Sequence, residues 1–255
     1  MTSCEPSRYS ITAYWGPRRE DPQALTTRLL ATLKALEKVD PAFGNWYFLG
    51  LEKGTFMAPL SRDEIVALVA AGVDTADDGE PTPQSGYWFG ALTNLMRVPR
   101  SVDVSVRAGN TDKNGDYFIN TASITTEPLD EENATFITAD VMKGALLALV
   151  SAWDVTWCGA KPWNIFDLDP PPRPGAPREH FYLAWMTYLS PRFAPLVTPP
   201  RSALVERTDN GGLLMMATEE RFTIANPRHV AVAREIATAI APVNALPWPP
   251  DATPE

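Results

Sequence analysis

"RYSITAYWGPRREDPQALTTRLLATLKALEKV", residues 8–39, holds a complete strand–turn–helix passage. Ile11, Ala13 and Trp15 alternate with Ser10, Thr12 and Tyr14, the period of a strand with one buried face. Gly16-Pro17 ends the alternation. Asp21 followed by Pro22 predicts a helix start, with a carboxylate at the N-cap and a preset φ at the first helical position. Leu25, Leu29, Leu33 and Leu36 then recur on one stripe, as an amphipathic helix requires. Asp40-Pro41 is expected to stop it. Arg18 and Arg19 lie in the turn, where they could grip an anion or merely serve the joint. No glycine-rich loop accompanies them and Glu20 and Asp21 would repel an anion, so the arginines are read as partners of neighbouring acids.

The same grammar recurs along the chain. "FGNWYFLGLEKG" (43–54) reads as an aromatic strand. Ser61 with Glu64 three residues later forms a capping box that opens a short helix through Ile65, Leu68 and Val69, ending at Gly72. "VDTADDGEPTPQSG" (73–86) is an acidic loop rich in turn formers. Strands are predicted in "YWFGALTNLM", "SVDVSVRAG" and "DYFINTASITT", the last two joined by a turn at Asp112–Gly115. "EPLDEENA" is a second acidic connection, and a helix follows from Ala139 through Met142, Leu146 and Leu149 to Trp153. "VTWCG" and "HFYLAWMTYLS" are strand-like. In "ALVERTDNGGLLMMATEER" (203–221), Asn210-Gly211 marks a hairpin. Asn226-Pro227 caps a last helix with Val230, Ala233, Ile236, Ala237 and Ile240 inward. Helices and strands alternate irregularly, which implies an α+β fold: mostly antiparallel sheet with flanking amphipathic helices. The expected organisation is a single domain over 1–241, with "DLDPPPRPGAP" (167–177) as a possible internal boundary and a Pro-rich tail over 242–255.

Composition narrows the function. The 255 residues are 45% hydrophobic and 21% charged, enough for a sizeable core. The net charge of −9 disfavours nucleic-acid binding, which needs a basic surface, and suits a basic protein partner. The N-terminal "MTSCEPSRYS" has no signal pattern, no run approaches the roughly 18 apolar residues of a membrane span, and two cysteines in unrelated contexts suggest reduced thiols. These features imply a cytoplasmic location, with no membrane partner.

Chemistry finds little purchase. His180 and His229 are the two imidazoles, and neither is accompanied by a nucleophile elbow or a Cys-His pattern. His229 falls in the first turn of a predicted helix. Metal-binding spacings are missing, and Asp167 and Asp169 before three prolines read as a solvated turn. Neither phosphate-cradling glycine motif occurs. The expectation is therefore a non-enzyme without catalytic residues, metal or cofactor. Eight tryptophans and seven tyrosines remain, most of them destined for the core. Tyr87 and Trp88 after the acidic loop, and Trp163 near Asp167, would suit interface anchors.

"YWGPR" (14–18), the leucine-rich helix and "VDPAFGNWYF" (39–48) resemble the opening of the Imm52 family of bacterial immunity proteins. "AWMTYLSPR" (184–192), "GGLLMMATEERF" (211–222) and "NPRHVAVAREI" (226–236) resemble its C-terminal half, in order. The resemblance implies an α+β protein that neutralises a cognate polymorphic toxin, commonly a restriction-endonuclease-like nuclease delivered by type VI or related secretion systems. It carries over no catalytic residues. On that reading the toxin contacts fall on the acidic loops: Asp74, Asp77, Asp78 and Glu80 with Tyr87 and Trp88, or Glu127, Asp130, Glu131 and Glu132. Two other classes compete. One is a small-molecule enzyme pairing His180 with an aspartate in a deep pocket; the other is an effector chaperone that binds the toxin without inhibiting it.

Overall fold

The computed structural model describes residues 8–50, 56–57, 60–93, 100–111, 120–127, 135–168 and 183–244. The turn at 112–115, the second acidic connection from Asp130 to Glu132, Asp169, His180, most of the Pro-rich connector and the end of the tail lie outside them.

Ten strands among the described residues form one sheet: β1 (Tyr9–Trp15), β2 (Trp46–Leu49), β3 (Phe56–Met57), β4 (Tyr87–Thr93), β5 (Val102–Ala108), β6 (Asn120–Thr126), β7 (Trp157–Pro162), β8 (Met186–Leu189), β9 (Leu204–Arg207) and β10 (Leu213–Met216). Their order is β3-β2-β4-β5-β6-β1-β7-β8-β10-β9, and every pairing is antiparallel. Four α-helices among the described residues accompany it: α1 (Pro22–Leu36), α2 (Arg62–Ala71), α3 (Ala139–Trp153) and α4 (Pro227–Asn244). This is the α+β fold expected from the sequence. β7 and β8 lie side by side, so strands on both sides of the Pro-rich connector share the sheet. α4 runs into the segment read as tail and includes Pro242.

The opening passage folds as its residues dictate. Ile11, Ala13 and Trp15 are buried beneath the helices, with the Trp15 ring stacked on Trp153 of α3 at 5.3 Å. Asp21 Oδ1 accepts the Ala24 N–H at 2.8 Å, and all four predicted leucines of α1 are buried. The helix ends at Leu36, earlier than Asp40-Pro41 suggested. Pro41 holds Asp40 extended (φ −155°, ψ 142°), and its carboxylate instead caps a 3-10 turn over Pro41–Phe43. The Ser61–Glu64 capping box forms in full. Inside the helical layer, Trp153 Nε1 donates to Thr32 Oγ1 at 2.9 Å, joining α3 to α1.

Of the turn's two arginines, Arg18 serves the joint together with Arg28 of α1, while Arg19 stands exposed. Glu20 receives Arg18 on one oxygen (2.9 Å) and Arg28 on the other. The same two guanidiniums donate to the Trp153 and Ala152 carbonyls, 2.9 and 2.6 Å away, at the C-terminus of α3. Two cations thus satisfy carbonyls that have no helical partner, at the negative end of the helix dipole.

Burial differs along the sheet. β5 and β6 alternate strictly between buried and more exposed positions, as a strand covered on one face should. β7 and β8 are buried at every position, so both of their faces are covered.

Candidate functional site

The acidic loop 73–86 is built onto the end of β4. Asp74 N–H donates to the Gly86 carbonyl (2.9 Å) and Trp88 N–H to the Gly72 carbonyl (2.7 Å). A narrow ladder follows, with bridges Val73–Tyr87 and Thr75–Pro81. Gly72 has to be glycine here, because a Cβ would stand 2.1 Å from the Trp88 carbonyl oxygen. Gly86 turns the chain back into β4 at φ 89°, where a side chain would also strike the Ala108 carbonyl. Asp77, Asp78 and Glu80 stand exposed at the tip, which is tied by Glu80 N–H to Asp78 Oδ1 and by Ala76 N–H to the Glu80 carbonyl.

Phe89 points toward the helices and meets the Trp153 ring, so Trp88 projects from the opposite face of β4. Its surface is 55% exposed, the largest fraction among the exposed large hydrophobics of the described residues. Register places Arg107 of β5 directly opposite Trp88. Arg107 Nη2 in turn reaches Asp74 Oδ2 at 2.7 Å. Asp74, Trp88 and Arg107 therefore form one corner, with the acidic tip next along the loop, whereas Tyr87 lies on the Phe89 face of β4 and packs against the core, away from the Trp88 side chain. Arg107 carries no motif in the sequence; only the β4–β5 register reveals it.

Glu127 does not join the 73–86 loop. Glu127 follows the far end of β6, where its N–H donates to the Ser101 carbonyl and its carboxylate lies 3.7 Å from Arg8. Val102 and Arg107 lie five residue steps apart along β5, about 17 Å at strand rise. Asp130, Glu131 and Glu132, predicted alongside Glu127, lie outside the described residues. Near Glu127, Trp163 is 44% exposed beneath the Arg8 guanidinium, 5.3 Å from the ring centroid.

The rival enzymatic reading finds no assembled centre among the described residues. His180 lies outside them. His229 is buried; its Nδ1 accepts the Thr223 N–H at 3.2 Å, which leaves Nε2 to donate to Glu220 at 3.3 Å. Both ring nitrogens are spent on fastening the 218–223 loop to the first turn of α4. A shallow groove of about 450 Å³ lies nearby, lined by Ile137, Thr138, Glu219, Glu220 and Arg221. No group of three potential metal ligands occurs among the described residues. Cys158 is fully buried, and burial pushes its thiol well above its ordinary range, so it is no thiolate nucleophile. No helix of the described residues is long and apolar enough to cross a membrane.

The family model of immunity protein 52, Imm52, matches residues 7–245. The chain belongs to the Imm52 family. Membership brings an immunity-type role with a toxin as partner. None of the curated proteins matches the chain. Among solved structures, the Pseudomonas aeruginosa T6SS protein PA0821 is similar, with a TM-score of 0.55 over 91% of this chain and 74% of that one. At 9% identity the likeness is one of fold. It places this Imm52 chain's sheet and helices in an arrangement already seen in a secretion-system protein.

Proposed function

We propose that this Imm52 protein acts in the cytoplasm by binding a cognate antibacterial toxin, a nuclease of the restriction-endonuclease-like class, and that the Asp74–Trp88 corner is the contact. The observation that carries the reading is the exposure of Trp88 beside Asp77, Asp78 and Glu80. A rigid aromatic anchor surrounded by charge is what a tight interface concentrates near its centre. A nuclease must expose positive potential to its substrate, and an acidic partner can steer toward that surface and shield it. The corner belongs to one sheet end and is braced by backbone bonds, so little ordering entropy is lost on binding. Inhibition then needs coverage alone.

The test is toxin-dependent DNA cleavage with and without the purified chain, alongside a direct binding measurement. Stoichiometric loss of cleavage supports the reading. Binding that leaves cleavage intact makes the protein an effector chaperone instead, and absence of binding removes the toxin partner.

A further inference from the structure

β9 ends the sheet, and its four residues Leu204-Val-Glu-Arg207 are exposed on both faces. Edge strands of soluble proteins are ordinarily shortened, charged or covered, because an open edge invites pairing. This one instead presents Leu204 (36% exposed) and Val205 (48%). The loop that precedes the strand adds Leu196, 49% exposed.

The hairpin fixes which backbone groups face outward. Gly211 N–H closes a turn onto the Thr208 carbonyl (2.8 Å), and Thr208 N–H donates to the Gly212 carbonyl (3.1 Å). From that pair, antiparallel alternation makes Glu206–Leu214 and Leu204–Met216 the hydrogen-bonded pairs with β10. Val205 and Arg207 therefore turn their N–H and C=O groups away from β10, toward the open edge.

We propose that this edge pairs with the same edge of a second copy of the chain, the two sheets joining antiparallel about a twofold axis at Val205. A twofold contact must be self-complementary, and the residues favour one register. Centring on Glu206 would set the two glutamates opposite each other, and centring on Arg207 would do the same with the arginines. Both are disfavoured by like charge across a pair. Centring on Leu204 or on Ala203 puts Ala203, whose N–H is already given to Pro200, into the central bonded pairs, and the Ala203 centre also brings Pro199 and Pro200, which have no N–H, into the seam; the Val205 centre leaves Ala203 only in the outer pairs. The Val205 register sets valine on valine, Leu204 opposite the partner copy's Glu206 position, and Arg207 opposite Ala203. Each Glu206 carboxylate already lies 3.0 Å from Lys143 Nζ, which neutralises it at the seam. The edge carries one glutamate and one arginine, unlike the acidic corner, so a cationic toxin is the poorer fit. β9 and β4 are seven strands apart in the sheet order, about 34 Å at the usual spacing, so pairing leaves the corner free.

Sedimentation over a concentration series tests this, with Val205→Pro as the first variant. Proline removes only the outward N–H and leaves the β9–β10 ladder intact. The expected result is a reversible dimer whose dissociation constant rises about tenfold or more in V205P, with an unchanged melting temperature and unchanged toxin affinity. Val205→Lys, which keeps the N–H, serves if V205P unfolds. Register is read separately: in a Cys4→Ser background, oxidation should link L204C chains to E206C chains in a mixture and neither variant to itself. A monomer at every concentration, a dimer indifferent to V205P and V205K, an L204C self-link, or loss of toxin binding in place of self-association would each overturn the proposal.

Discussion

Arg107 lies directly across from Trp88 on the neighbouring strand, with its guanidinium tied to the acidic loop at Asp74. The exposed tryptophan thus projects from a strand whose neighbour is tied to the acidic loop. Replacing Trp88 with Ala should weaken toxin binding by about 2 kcal/mol or more, the mark of an interface anchor. Folding stability should change little, because the ring is more than half exposed. Calorimetric titration against toxin, with a thermal melt in parallel, separates the two. Unaltered affinity would move the contact away from this corner.

Charge should act on the rate of encounter. Asp77, Asp78 and Glu80 are exposed at the loop tip, and reversing all three to lysine removes the attraction that steers a basic partner. The association rate should fall roughly tenfold or more at low salt, and its salt dependence should flatten, while dissociation changes less. Stopped-flow association at two ionic strengths reads this. The equivalent change at Glu127, at the other end of the strands, should have no such effect.

The capping box at α2 gives a pH-dependent contribution with a definite sign. Glu64 is held below the usual glutamate range, first by the Ser61 hydroxyl and then by the Ser61 N–H, at 2.6 and 2.7 Å. A carboxyl lowered by folding stabilises above its unfolded value, and that contribution disappears as pH falls through the folded one. Ser61→Ala should raise the Glu64 titration toward its ordinary value, measured by NMR. It should also cost about 1 kcal/mol in denaturant unfolding near neutral pH, the usual loss for an N-cap. An unshifted Glu64 in the variant would show that the box does not set its acidity.

Local chemistry was legible in the sequence wherever a few neighbouring residues decide the outcome. Asp21-Pro22, Ser61 with Glu64 and Asn210-Gly211 mark boundaries because their side chains bond to backbone two or three residues away. Val102, Val104 and Val106 announce a strand because one face is buried. Strand order was not legible. Nothing near Tyr9 says that β1 sits between β6 and β7, since that placement arises from pairings more than 100 residues away. The same limit governs the candidate site: Tyr87, Trp88 and the acids could be named from their own stretch. Arg107 joins them only through register, and that Val205 lies at the sheet's last edge follows only from strand order.

Glu20 offers the sharpest test of the joint between β1 and α1. Its side chain is 6% exposed and receives both Arg18 and Arg28, which in turn hold the last carbonyls of α3. The arginines are about a quarter exposed, so water screens part of the attraction. Glu20→Gln keeps the shape but removes the charge that orients both guanidiniums. It should destabilise the fold by about 2 kcal/mol, the range for hydrogen bonds to charged groups, with toxin affinity unchanged because the clamp joins α1 to the end of α3 and holds none of the corner's residues. If the arginines were there for an anionic ligand, removing the acid would instead free them and strengthen phosphate binding. Urea unfolding of wild type and E20Q, each with and without inorganic phosphate, distinguishes these. Stabilisation of E20Q by phosphate beyond that of wild type would return the turn to the ligand-gripping reading.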